Sequence, residues 1–167
     1  MSEFEIVFET DRIYFIKLSE KLVYEYLNMV NDIEVQKYIS HNKKKYNLEQ
    51  ELEWIKNKLN TNAIIFSMIE KETNKYIGNI EIMNIVNNVG EMGIAITTEQ
   101  QNKHFGQEAI SAIIDYVLYN LKLDGLELRV YDYNHRGIRC YEKVGFKAVG
   151  KGKNDDEIRM KITKQRK

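Results

Sequence analysis

The 167-residue chain contains no proline, one cysteine, three histidines and no excess charge of either sign. Each shortage excludes something. The lone Cys140 cannot close an internal disulfide and cannot found a cysteine-rich metal cluster. His41, His104 and His135 do not stand at i, i+4 from one another, so no helical pair of metal ligands is present and no metal is expected. Twenty-five basic residues balance twenty-five acidic ones, which removes the basic excess that nucleic-acid binding rests on. No stretch approaches the roughly 20 apolar residues of a membrane span. The opening Met1-Ser2-Glu3-Phe4-Glu5 has neither the basic start nor the apolar run of a secretory signal. A cytoplasmic protein that engages neither nucleic acid nor membrane is therefore expected. The missing proline goes with a wealth of Lys, Asn and Ile and carries no functional meaning.

What is present is ordinary for a globular protein. The apolar share is 43%, and the length suffices for one domain over residues 1–167 with a sizeable core. Residues 13–18 are β-branched and aromatic and predict a strand. Ser19 caps a helix with Leu22, Val23, Tyr26, Leu27 and Val30 on one face. A short helix over 33–39 follows, then a polar loop over 41–47. Leu48, Leu52, Ile55 and Leu59 line one face of a further helix. Residues 63–70, 76–85 and 91–97 predict three strands, joined by the turns Glu72-Thr73-Asn74 and Asn87-Asn88-Val89-Gly90, hence an antiparallel meander. The rhythm then changes. Ile110, Ile113, Ile114, Val117, Leu118 and Leu121 give an amphipathic helix, residues 126–131 a strand, residues 134–143 a helix. Residues 145–149 and 157–163 form a last hairpin with Ile158, Met160 and Ile162 inward. Strand, helix, strand after a meander implies one parallel pairing. The expected class is α/β, with a central, mixed, mostly antiparallel sheet and helices on both sides.

Chemistry begins after the third meander strand. Gln101-Asn102-Lys103-His104-Phe105-Gly106-Gln107 leads into the long helix. A helix start offers unpaired N–H groups and the positive end of the dipole, so a loop delivered onto it is an anion site. The plainer reading is that Gly106 merely lets the chain turn.

This segment resembles the Gln-x-x-Gly-x-Gly/Ala loop that binds the acetyl-CoA pyrophosphate in the GNAT N-acetyltransferase superfamily. His104 stands where glycine is usual. Glycine there suits a positive φ or a close phosphate approach, and histidine tolerates positive φ better than most residues. The departure bears on how tightly the loop would hold the cofactor. A second block, Asn134 followed after six residues by Tyr141-Glu142-Lys143-Val144-Gly145-Phe146, is similar to the family's Asn…Tyr-Glu-Lys-Leu-Gly-Phe stretch. Glu9-Thr10-Asp11-Arg12-Ile13-Tyr14-Phe15 looks like the opening strand of the RimJ/RimL-type branch, which includes ribosomal-protein and spermidine acetyltransferases. The likeness is strong over residues 78–150 and weak over 40–61.

The resemblance implies acetyl transfer from acetyl-CoA to a primary amine of a small molecule or a protein N-terminus. It would place the cofactor on Ile94, Ala95, Ile96, the loop Gln101 to Gln107, Asn134 and Lys143. Asn134 and Tyr141 are two helical turns apart, about 10 Å, which suits a pantetheine arm. Tyr141 would donate a proton to the leaving thiolate as general acid; the alternative is a core aromatic. Ile94 and Ile96 would meet pantetheine through main-chain groups, as an added strand does. Glu91 resembles the acidic residue that some relatives use to take a proton from the amine, which is mostly charged at pH 7; the alternative is a solvated strand-edge acid. Cys140 is turned about 100° from Tyr141 on the helix and reads as packing, so direct attack by the amine is favoured over an acyl-enzyme.

Acceptor choice is less legible. Lys43, Lys44 and Lys45 are the charges of a solvated loop; bordering a cleft, they would repel a polycation and tolerate an acidic peptide. The acidic pattern of spermidine-binding relatives is not seen in this region. Trp54 either walls the acceptor site or packs its helix into the core. A non-catalytic acyl-CoA-binding or regulatory module on the same fold is the competing reading, and an unrelated interaction domain a third. Homodimers are common in the superfamily; no feature of the sequence decides the oligomeric state.

Overall fold

A computed structural model describes residues 3–41 and 44–164; Asn42 and Lys43 of the polar loop, and Met1 and Ser2 of the opening, lie outside the described residues. Hydrogen bonding orders eight strands as β1-β2-β3-β4-β5-β6-β8-β7. The chain clusters into two compact units. One comprises residues up to Glu81 with Ile94–Phe105, the other Ile82–Gly93 with the residues from Gly106 onward.

The first unit opens with a strand that periodicity did not reveal, β1 (Ile6–Glu9), paired antiparallel with β2 (Ile13–Lys17). β1 is mostly exposed, so it lacks the apolar alternation that marks a strand. Phe8 explains its place: its ring stacks on Phe15 at 4.3 Å and meets Phe66 edge-on at 5.4 Å. β2 pairs antiparallel with β3 (Ile64–Glu70), and β4 (Tyr76–Val86) follows in the strand order. Ser19 accepts from the Lys21 amide, as its sequence position suggested, but it caps a 3-10 turn, Glu20–Leu22, that then feeds α1 (Val23–Asn31). The next helix, α2 (Ile33–Gln36), is one turn long and capped by Asp32.

Asn47 and Gln50 form a reciprocal capping box at the start of α3 (Leu48–Leu59), satisfying two end donors at once. The buried face of α3 follows the expected one only in part: Ile55 lies in the core cluster and Leu52 packs against it. Leu48 and Leu59 are exposed, whereas Ile55 and Glu51 are buried. Ile55 joins Leu22, Val23, Tyr26, Met29, Ile69 and Tyr76 in one core cluster. Inside it runs a directed chain of polar groups. The Ser67 hydroxyl donates to Asn79 Oδ1 (2.8 Å), so Tyr26 donates its hydroxyl to Ser67 (2.6 Å) while accepting the Ser19 amide (3.1 Å).

The second unit is organised by β6 (Gly125–Tyr131). The end of β4 reaches β5 (Val89–Ile96) through Asn87 and Asn88, both at positive φ. Two such residues fit the type I′ hairpin turn whose twist matches the strands, so Val89 and Gly90 belong to the strand and not to the turn. β5 and β6 pair in parallel from Val89–Gly125 to Glu91–Glu127. This is the parallel pairing expected from the strand–helix–strand rhythm. β8 (Glu157–Thr163) lies antiparallel along all of β6, and β7 (Lys147–Lys151) pairs with β8. Met160 is buried, while Ile158 and Ile162 are only half-buried.

The crossover is α4 (Phe105–Asp115), continued by a π-helical turn over Tyr116–Asn120. Ala109, Ile110, Ile113 and Val117 are buried; each large apolar side chain among them contributes about 1.5–3 kcal/mol. Leu121, expected on the same face, is exposed, because the wider π turn breaks the 3.6-residue repeat. α5 (His135–Lys143) has no fully buried residue.

Candidate active site

In the first unit the end of β5 runs into the candidate phosphate loop, and the protein's own side chains hold that loop from several directions. The Gln101 side-chain Nε2 donates to the Ile96 carbonyl at 3.0 Å. Buried Gln100 donates to Glu70 Oε1 (3.1 Å) and accepts from Lys103 Nζ (2.9 Å). Arg12 donates to the Lys103 carbonyl (3.0 Å) and lays its guanidinium 4.3 Å from the centre of the buried Phe105 ring. Burial alone would raise the Glu70 pKa. The bonds from Thr73 and Gln100 and the charges of Lys103 and Arg12 outweigh it and hold that carboxyl below its usual value.

The loop turns at Asn102 and His104, both in the left-handed region with φ of +64° and +65°. His104 thus adopts the conformation that favours glycine at this position. Gly106 does not supply the turn. It sits in the first helical turn of α4, and the glycines at positive φ are Gly145 and Gly150. Lys103 and Gln101, expected as cofactor contacts, spend their side chains on the protein. Asn102, His104 and Gln107 are exposed, next to the N–H groups that begin α4.

Ile94, Ala95 and Ile96 are half-buried. Here β4 and β5 approach closely: a Cβ on Gly78 would lie 2.0 Å from the Ala95 carbonyl oxygen. Only a residue without a side chain permits that approach. Ala95 also packs against the core cluster that contains Tyr26, Ile55 and Tyr76.

In the second unit Glu91 is tightly held. Arg129 donates from Nε (3.1 Å) and Nη2 (2.8 Å) to Oε2, and Asn84 donates to Oε1 (3.1 Å). Burial would raise its pKa. The Asn84 and Arg129 hydrogen bonds, with the charges of Arg129 and Lys153, prevail and lower it. A carboxylate with both oxygens engaged and a depressed proton affinity is a weak base, and it is not the solvated edge acid of the alternative reading either.

Asn134 stands at the N-cap of α5, not inside the helix as expected; its Oδ1 accepts the Gly137 amide at 3.0 Å. Tyr141 is half-buried with its ring edge-on to Phe146. Burial, with a smaller contribution from Cys140, pushes its phenol well above the usual tyrosine range. Cys140 is half-buried, and burial pushes its thiol up against a smaller opposing effect of Lys143. A thiol so placed stays protonated and is a poor nucleophile. Lys143 is exposed in the last turn of α5, where its charge complements the helix dipole.

Among the described residues no group of three or more His, Cys, Asp or Glu could hold a metal ion, and no helix is long and apolar enough to cross a membrane. Sequence reasoning missed Arg12 as the clamp on the loop and Gly78 as the point of strand approach. It also missed Glu51, whose signal was an acid four residues before Ile55 on the buried face of α3.

Residues 12–147 match the acetyltransferase (GNAT) domain, and the chain belongs to that family. It is 27% identical over 100 residues to an uncharacterised N-acetyltransferase, YokL, from an SPβ prophage of Bacillus subtilis strain 168, covering 59% of this chain and 56% of that protein. It is 26% identical over 158 residues to an N-acetyltransferase 9-like protein of Caenorhabditis briggsae, covering 86% and 79%. The chain thus spans little more than half of the Bacillus relative. It superposes on a spermidine N-acetyltransferase from Vibrio cholerae, crystallised with CoA and spermine, with a TM-score of 0.83 at 22% identity over 92% of this chain and 96% of that one. The corresponding values for the ribosomal-protein-S5-alanine acetyltransferase of Vibrio fischeri are 0.79, 18%, 93% and 95%. At such identities these structures show a shared fold.

Proposed function

We propose that the chain transfers an acetyl group from acetyl-CoA to a primary amine by direct attack, and that residues 1–167 act as one acetyltransferase domain. The observation that carries this is the preset loop Gln101 to Phe105. It holds its left-handed turns at Asn102 and His104 and is braced by Arg12, directly ahead of the helix start. The brace matters because an anion site works best when its N–H groups are already oriented.

When bound, acetyl-CoA supplies the thioester that the amine attacks. The residues of the chain then divide the work. The helix start, with Asn102, His104 and Gln107, would receive the pyrophosphate. Ile94, Ala95 and Ile96 would offer main-chain groups to the pantetheine arm. Asn134 would meet that arm through its side-chain nitrogen, since its oxygen caps α5. Tyr141 would give a proton to the departing sulfur; burial raises its pKa, which makes the phenol a weaker acid than a free tyrosine, so the proton would move only as the basic thiolate develops. Glu91 would act through charge and position, with its oxygens held by Arg129 and Asn84, and not as the base; the ammonium form of the acceptor would lose its proton to solvent before its nitrogen attacks the thioester carbonyl.

The test is release of the CoA thiol over a panel of small amines and peptide N-termini, with mass detection of the product. We expect amine-dependent release and a loss of roughly 10²-fold or more in Tyr141→Phe. Acetyl-CoA binding without turnover on any acceptor would instead establish the non-catalytic module.

A further inference from the structure

One carboxylate in the first unit has no use in this scheme, and one of its oxygens has no hydrogen-bond partner among the described residues. Glu51 is 4% exposed, and its Oε2 finds no hydrogen-bond donor among the described residues. A buried acceptor without a donor is costly, and natural structures leave few of them. The hydroxyls that could serve it are engaged elsewhere. Tyr26 donates to Ser67, and Tyr76 points its hydroxyl at the Met29 sulfur at 3.7 Å. Lys58, the cation nearest the end of α3, is paired with Glu81.

Aromatic side chains stand close to Glu51. Trp54 lies three residues on, along the same side of α3. Its ring meets Tyr26 edge-on at 6.1 Å, and Tyr26 meets Tyr76 at 5.4 Å. The charge of Glu51 is felt by both tyrosines, as is that of the exposed Glu25. Aromatic faces and a desolvated carboxylate together favour an alkylammonium over a neutral group. Burial raises the pKa of Glu51; a cation beside it would favour the ionised form, as does its place in the first turn of α3, at the positive end of the helix dipole. Trp54 and Leu52 are only half-buried, so this face of α3 reaches solvent. The cluster it belongs to packs against Ala95 on β5, the strand assigned above to the pantetheine arm.

We propose that Glu51, with Trp54, Tyr26 and Tyr76, seats the ammonium group of the acceptor amine. The inference rests on the acetyl-transfer reading for its biological use, but the binding site itself does not. It also answers what the sequence left open: the acid facing the acceptor is a buried helix residue, not the strand residue Glu91.

Trp54 is the only tryptophan, so its fluorescence reports on this site alone. The full chain is titrated with n-butylammonium and, at matched ionic strength, with n-butanol. A saturable change is expected with the ammonium and not with the alcohol. Glu51→Gln, checked for folding by circular dichroism, should weaken the ammonium response by about tenfold or more. No saturable response, or equal affinity in a folded Glu51→Gln variant, overturns the proposal. Thiol release separates the two readings. A saturable, Glu51-dependent response without turnover on any amine supports the site and sinks acetyl transfer. Turnover of butylamine with a KM indifferent to Glu51→Gln does the reverse.

Discussion

His104 occupies a position where the backbone requires φ near +65°, a conformation that costs a residue with a Cβ about 1–2 kcal/mol. Histidine bears this better than a β-branched residue. We therefore expect His104→Val to destabilise the fold by a further 1 kcal/mol or so and to weaken acetyl-CoA binding, whereas His104→Gly should retain or tighten it; calorimetry with acetyl-CoA distinguishes the two. Glu91 poses a different question of scale, because its worth depends on pH. Its pKa is lowered in the folded protein, so the native state binds fewer protons than the unfolded one. The stabilisation is complete above the ordinary glutamate value of about 4.3 and is lost as pH falls through the lower folded value. Glu91→Gln should cost about 1–2 kcal/mol at neutral pH. Urea unfolding should show the gap closing as the pH drops below about 4. A gap independent of pH would mean that the Arg129 pair contributes nothing through charge.

At the level of elements, what the sequence makes legible follows from which forces are local. α4 and β6 announce themselves because their buried residues repeat at the period of the element, and β8 because Ile158, Met160 and Ile162 alternate with charged residues. β1 does not, because it is held by one phenylalanine over its neighbours and otherwise faces solvent. The buried face of α3 is only partly legible because it includes Glu51; a buried acid looks polar in a pattern and apolar in a fold. Asn134 adjoins the α5 pattern yet caps the helix, as suits a favoured N-cap residue. None of the tertiary braces on the phosphate loop was readable, since Arg12 is 91 positions from the Lys103 carbonyl it holds. Gly78 belongs to the same class of information. Its neighbour is a carbonyl oxygen 2.0 Å from where a Cβ would stand, and backbone yields less readily than a side chain. Gly78→Ala should cost about 1–3 kcal/mol or more by overpacking, read as a lower urea midpoint. Because it moves the Ala95 strand, it should also raise the KM for acetyl-CoA. An unchanged midpoint would show that β4 and β5 separate freely at this point.

For the molecule as a whole, the two motif blocks fall in different compact units, the loop in one and Tyr141 in the other. A ligand that binds only the native form stabilises it by RT ln(1 + [L]/Kd), about 2.7 kcal/mol at a hundredfold excess over Kd. For a chain of this size each kcal/mol moves the midpoint by about 2–4 °C. Saturating acetyl-CoA should therefore raise the melting temperature by roughly 5–10 °C. Arg12→Ala should lose part of that shift, because its loop must be ordered at the expense of binding energy. The 3′-phosphoadenosine diphosphate portion alone should give a smaller shift than acetyl-CoA, since it engages the loop and leaves the residues 94–96 segment uncontacted. Equal shifts from the two compounds would confine the interaction to the loop and remove the pantetheine role of Ile94, Ala95 and Ile96. Absence of any shift, with the protein folded, would deny acetyl-CoA binding and with it the acetyl-transfer reading.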